Sequence, residues 1–377
     1  MIERDIQTDV EKALWEDDKI VAIMGARQVG KTTLLEGLLG NRDDVLWLNG
    51  DDRSTLETFA DFDKHRFAEL IDGYSYLVID EAQRIADIGL NLKIIQDNFK
   101  GSIKVAATGS SSFDLANKIN EPLTGRKHEF HLLPFSVNEL VRHFGLAQER
   151  LELERRLTYG MYPEVVLSPG REEQLLLELA NANLYKDVLA WGNIQRSDKL
   201  ISLLQALAYQ IGSQVSINEI AQLIGLDPKT VEKYIMLLEQ AFVIFHFGSF
   251  SRNLRNELKA SRKYYFYDVG IRNAIINNFA PPSSRTDIGH VFENFVIAEL
   301  VKRNTRLMLG HAGFFWRTTA GQEVDYVHEE GGKISAYEIK YNPKAKGRIP
   351  MTFVEAYQPA ELAIIDKENY YQFLVDS

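Results

Sequence analysis

Uninterrupted apolar runs of strand length recur in the N-terminal part of the chain: KIVAIM (19–24), YLVID (76–80) and IKVAATG (103–109). Such runs mark strands buried on both faces of a sheet. LLEGLL (34–39), after the first of them, has a helical pattern. From 147 to 210 the pattern is helical, as in LELERRLTYG and REEQLLLELANANLYKDVL, with a break at YGMYPEVV (159–166) where Gly160 and Pro163 fall. SINEIAQLIGLDPKTVEKYIMLLEQ (216–240) reads as helix, turn, helix. Ser216 caps the first helix with Glu219 three residues on. GLDP makes the turn, and Pro228 suits the first turn of the second helix. Val231, Ile235 and Leu238 form that helix's apolar face. AFVIFHF (241–247) and YYFYD (264–268) read as the hairpin of a wing. A last helix, GHVFENFVIAELVKR (289–303), turns Phe292, Phe295, Val296 and Leu300 inward. The strand FFWRTT (314–319) follows, and then EVDYVHEE and KISAYEIK form two more strands joined by Gly331-Gly332.

At 377 residues the chain has room for two or three domains of roughly 100–200 residues each. No apolar run approaches the roughly 18 residues needed to cross a bilayer, and the polar, acidic N-terminus is no signal peptide. A cytoplasmic protein with no membrane attachment is expected. With no cysteines, disulfides and Cys-ligated zinc are excluded, and the eight histidines include no H-E-x-x-H pair. The net charge of −10 argues against wholesale coating of nucleic acid. A local basic face is still present: residues 252–263 carry Arg252, Arg255, Lys259, Arg262 and Lys263 against Glu257 alone. The second helix of the helix-turn-helix offers Lys229, Thr230 and Lys233, offset by Glu232 and Glu239. DNA as a partner therefore stands beside a protein-docking or spacer role.

The first chemical signal follows KIVAIM. GARQVGKTT, then a helical pattern, is G-x-x-x-x-G-K-[ST] in its required context of strand, loop and helix. Gly25 and Gly30 let the loop Gly25-Ala26-Arg27-Gln28-Val29-Gly30 curl so that its N–H groups face phosphates. Lys31 would reach the β- and γ-phosphates of ATP, and Thr32, next to Thr33, would give a hydroxyl to Mg²⁺. YLVIDEAQ brings Asp80 and Glu81 to the C-terminal end of a buried strand, where open α/β sheets bind ligands. Asp80 would hold Mg²⁺ and Glu81 would orient the attacking water and accept its proton. The next strand ends in Thr108, Ser110 and Ser111, which either sense the γ-phosphate or cap a helix. Arg126, in a Gly-containing turn, is either an arginine finger acting on a neighbouring subunit of a homo-oligomer or a solvated surface arginine.

The second signal lies in the C-terminal hairpin. Asp325 stands on its first strand and Glu338 and Lys340 point the same way from its second. Asp325 and Glu338 are hard oxygen ligands for Mg²⁺, Glu293 on the preceding helix would complete the shell, and Lys340 would orient or deprotonate water. Such a set cuts phosphodiesters. The alternative is an inherited scaffold with a buried Lys–Glu pair and no turnover. Glu-x-Lys alone says little, since Glu257-Leu-Lys259 is another copy.

Together GARQVGKTT, YLVIDEAQ, ATGSSS, LTGR, FSVNEL and YPEVV resemble a large group of bacterial and archaeal AAA-type ATPases that carry a C-terminal domain of unknown function. The resemblance covers nearly the whole chain. It implies an α/β protein with three parts. Residues 1–146 would form a P-loop AAA-type domain, a parallel sheet with helices on both faces. Residues 147–282 would form a helical and winged-helix domain, and residues 283–377 a restriction-endonuclease-like α/β domain. GQEVDY…YEIK is similar to the PD-(D/E)xK nuclease pattern, with Val324 where the proline would stand. Two functions remain: an ATPase gating a metal-dependent nuclease, or a nucleotide-dependent switch that binds DNA or a protein and cuts nothing.

Overall fold

The computed structural model describes residues 2–60, 63–110, 123–184, 197–251, 262–307, 313–345 and 347–376. Ser111 and the basic positions Arg252, Arg255 and Lys259 lie outside them. The chain forms two units, Met1–Leu133 with Gln240–Phe242, and Pro134–Glu239 with Val243–Ser377.

In the first unit, β1 (Ile20–Met24), β2 (Val45–Asn49), β3 (Tyr76–Asp80), β4 (Lys104–Gly109) and β5 (Lys127–His131) make one sheet in the order β2-β3-β4-β1-β5. Every pairing is parallel. All five residues of β1 are buried, so both faces of the sheet centre are covered, as its unbroken apolar run requires. Helices Gln7–Glu16, Lys31–Leu39 and Ile88–Phe99 supply buried Val10 and Leu14, Leu34 and Leu35, and Leu92 and Ile95. Because β3, β4 and β1 are neighbours and run the same way, the segments leaving their C-terminal ends emerge side by side.

In the second unit, helix Ile217–Ile224 starts at Ser216, whose hydroxyl accepts from Glu219 N, and stops at Gly225 in the left-handed region, φ 69°. Helix Pro228–Gln240 follows, its entry tied by Asp227 Oδ1 accepting from Thr230 N at 3.0 Å. β7 (Ile244–Ser249) and β8 (Arg262–Phe266) pair as the expected hairpin, with β6 (Gln214–Val215) at its edge. The hairpin does not stand alone. β7 pairs in parallel with β9 (Gly313–Arg317), which continues into β10 (Glu323–Glu330), β11 (Lys333–Ile339) and β12 (Glu361–Ile365). One seven-stranded sheet, β12-β11-β10-β9-β7-β8-β6, thus takes strands from both of the segments 147–282 and 283–377. Val324, Val327, Ile334, Ala336, Trp316, Phe250 and Phe353 form a core cluster. The β10–β9 register shifts between Val324 and Val327, which is how two residues three apart reach the same cluster. Among the described residues no helix is long and apolar enough to cross a membrane.

Candidate functional site

The loop after β1 has the backbone of an anion cradle. Gln28 (φ 60°) and Gly30 (φ 96°) are left-handed, and alternating hand turns successive N–H groups to one side. A Cβ on Gly25 would collide with the Leu132 carbonyl oxygen, so glycine is required where the loop leaves β1. Helix Lys31–Leu39 begins directly after Gly30, adding the positive end of its dipole. Lys31 is 5% exposed, and its Nζ donates to the carbonyls of Gly25 and Ala26, each at 2.9 Å. Arg4 braces the loop from behind, donating to Val29 O at 2.7 Å and to Leu133 O at 2.5 Å. Thr33, one residue past Thr32, is exposed.

Beside this loop, Thr32 Oγ1 donates to Asp80 Oδ2 at 2.9 Å. Thr108, fully buried at the end of β4, donates to Asp80 Oδ1 and accepts from Glu81 N at 3.2 Å. Glu81 itself is left-handed, φ 48°, a strained backbone for a side chain of its size and of the kind found at functional sites. Gln83 Nε2 donates to Glu81 Oε2 and to Ser110 Oγ, the latter at 3.0 Å. Thr32, Asp80, Thr108, Glu81, Gln83 and Ser110 are thus one connected constellation, and Lys31 precedes Thr32 in the chain. The hydroxyl of Thr32 beside a carboxylate of Asp80 is a pair of hard oxygens, which could hold a divalent cation such as Mg²⁺. Arg126 is not brought to it. It immediately precedes β5, its Nε 2.9 Å from Asp97 Oδ1, and its carbonyl accepts from Ile20 N at the start of β1. That is the opposite end of the parallel strands from the cradle.

The second cluster is assembled by the β10–β11 hairpin, whose register, Tyr326 opposite Tyr337, sets Asp325 beside Glu338. Lys340, one residue past β11, lies 2.7 Å from Glu338 Oε1 and 3.4 Å from Asp325 Oδ2. Asp325 Oδ2 also accepts from Ile339 N at 2.8 Å. Burial, with Glu293 and Glu338 close by, pushes Asp325 up to about 7. Burial likewise raises Glu338. Its Oε2 is buried with no hydrogen-bond partner among the described residues. Glu293 has partners of its own: Tyr265 OH donates to it at 2.9 Å, and Lys263 Nζ stands 3.4 Å away and also pairs with Glu323. Burial would raise Glu293, but Lys263, His290 and Tyr265 hold it below its usual range. Among the described residues, no three His, Asp or Glu side chains are placed to hold one metal ion. Lys263, counted with the basic face in the sequence, is 2% exposed and faces inward, so it offers nothing to DNA; Arg262 beside it is exposed.

Residues 17–141 match the family described as AAA domain. The N-terminal unit has the fold of an AAA-type P-loop domain. Beyond the AAA-type domain, residues 150–281 and 288–374 match two families described as domains of unknown function, DUF8612 and DUF4143. An uncharacterized protein of Haemophilus influenzae is 23% identical over 355 residues, covering 86% of this chain and 83% of that protein. One of Mycobacterium tuberculosis is 25% identical over 328 residues, covering 85% and 70%. AMPPCP-bound DnaA from Aquifex aeolicus is similar with TM-score 0.32 and 14% identity, over 62% of this chain and 86% of that one. The S. cerevisiae Hsp104-ADP complex is similar with TM-score 0.32 and 13% identity, over 82% and 44%.

Three residues of these clusters escaped sequence reasoning. Gln83 closes YLVIDEAQ and went without a role although its neighbours had one. Arg4 had no local signal, because its partners in the AAA-type domain lie 25 and 129 residues away. Lys263 was read as surface because its flanks are basic. The alternation of β8 was the available clue: Lys263 and Tyr265 share a face, and Tyr265 is fully buried.

Proposed function

We propose that this chain binds ATP with Mg²⁺ and hydrolyses it in the AAA-type domain. The observation that carries the reading is Thr32 hydrogen-bonded to Asp80 next to the Lys31 cradle. Mg²⁺ held by Thr32 and Asp80 would neutralise phosphate oxygens. Lys31 and the loop N–H groups bind and orient the triphosphate. Glu81 orients a water in line with the γ-phosphorus and takes its proton as the new O–P bond forms and the bond to the ADP oxygen breaks. Glu81→Gln keeps the metal pair but loses the proton acceptor. Its turnover should fall by about 10²–10⁴-fold with ATP affinity retained. Steady-state phosphate release equal to wild type would remove Glu81 from the mechanism.

A second reading is favoured by the orphaned Glu338 Oε2: metal-dependent cleavage of a phosphodiester, with DNA as substrate, at Asp325, Glu338 and Lys340. Two buried carboxylates suit Mg²⁺, while Lys340 already supplies one positive charge between them. Arg262 of the wing hairpin and Lys229, Thr230 and Lys233 on helix Pro228–Gln240 are the described candidates for DNA contact. Purified protein with Mg²⁺ or Mn²⁺, ATP and labelled DNA decides it. Cleavage by wild type and none by Asp325→Asn supports the nuclease. Turnover of ATP with intact DNA leaves a nucleotide-dependent switch.

A further inference from the structure

Gln83 is buried, 4% exposed, in the tight turn Ala82–Arg84 that follows Glu81. Its amide nitrogen has two acceptors: the Glu81 carboxylate and the Ser110 hydroxyl, at the ends of neighbouring strands β3 and β4. A neutral amide donating to a carboxylate fixes that carboxylate's rotamer without cancelling the charge it needs as a proton acceptor. The same donor on Ser110 ties that rotamer to the strand end beside the phosphate cradle. Glu81 is held at two other points, by Thr108 on its N–H and by its left-handed backbone. Gln83 is the only hydrogen-bond donor to the Glu81 side chain that the described hydrogen bonds include, so it sets where the carboxylate points.

We propose that Gln83 is a positioning residue for ATP hydrolysis, holding the Glu81 carboxylate in line for the attacking water and linking it to Ser110. The proposal rests on the hydrolysis reading above. It assigns Gln83 no contact with nucleotide, so its loss acts on kcat and leaves binding alone. General-base catalysis contributes about 10²–10⁴-fold, and a base freed to adopt other rotamers keeps part of that.

The decisive variant is Gln83→Glu, which keeps the shape but replaces the donor nitrogen with an oxygen that repels Glu81. Gln83→Ala accompanies it. Steady-state ATP hydrolysis, ATP affinity by equilibrium binding of a fluorescent ATP analogue, and thermal unfolding would be measured on the full chain. The expected result is a fall in kcat of about tenfold or more in both variants, with Gln83→Glu at least as impaired as Gln83→Ala, affinity as in wild type in both, and the melting temperature as in wild type in Gln83→Ala but lowered in Gln83→Glu by its added buried carboxylate. A merely structural glutamine predicts the reverse order, with the isosteric Gln83→Glu near wild type and Gln83→Ala less stable. That outcome, or a loss of kcat matched by an equal loss of affinity, overturns the proposal. Wild-type protein that binds ATP without turning it over overturns the hydrolysis reading and this one with it. Wild-type turnover with Gln83→Glu at the same rate overturns this one alone.

Discussion

Lys31→Ala is expected to remove ATP binding at working concentrations while leaving the free protein folded. Lys31 is buried at the mouth of the cradle, and its partners there include the backbone carbonyls of Gly25 and Ala26, which the loop's opening to solvent can hydrate when the ammonium goes. The bound triphosphate would lose a buried side-chain cation from the cradle. Truncating one partner of a buried, hydrogen-bonded charge pair costs about 2–5 kcal/mol, roughly 30-fold to several thousandfold in Kd. The measurement is the rise in melting temperature with ATP and Mg²⁺, which reports binding by mass action. Wild type should show a concentration-dependent rise and Lys31→Ala none, from the same starting temperature. Equal rises in both would sink the cradle as the nucleotide site.

What the sequence made legible follows the range of the interactions involved. The cradle, the Asp80–Glu81 pair and the strands that carry them are local signals, and β1, β3 and β4 fall on the three apolar runs that announced them. The hairpin bringing Asp325 to Glu338 was legible for the same reason: Gly331-Gly332 supplies two left-handed residues and the period of two does the rest. The pairing of β7 with β9 was not legible. It joins residues some 65 positions apart through backbone hydrogen bonds that leave no mark on periodicity. The partners of Glu293 were missed as a consequence. Expected to complete a metal shell with Asp325 and Glu338, it lies near both but is paired with Lys263 and Tyr265 of β8, a strand that enters this sheet only through the unforeseen β7–β9 pairing.

That arrangement makes Lys263→Met the second large effect to expect, on stability. Lys263 is the buried counter-ion of Glu293 and Glu323. Burial works to lower its pKa, yet the two carboxylates keep it above its ordinary 10.5, while Glu293 is held below 4.5. The lysine's contribution is therefore full below 10.5 and lost as pH rises through its folded value. The glutamate's is present above 4.5 and lost as pH falls through its own. At neutral pH both stand, and removing the lysine leaves a buried carboxylate that His290 and Tyr265 offset only in part, a loss of about 3–5 kcal/mol. Methionine keeps most of the apolar volume against Phe315, so packing accounts for little of it. In the variant Glu293 loses its nearest cation and its folded pKa climbs, so the penalty should shrink as pH falls into the ordinary carboxylate range. Adding Glu293→Gln should recover a large part of the loss at pH 7, because the unpaired charge is gone. Urea unfolding followed by tryptophan fluorescence measures all of this. A Lys263→Met midpoint equal to wild type at pH 7, or a double variant no more stable than the single, would mean that the carboxylates of this cluster do not depend on Lys263 for their charge balance.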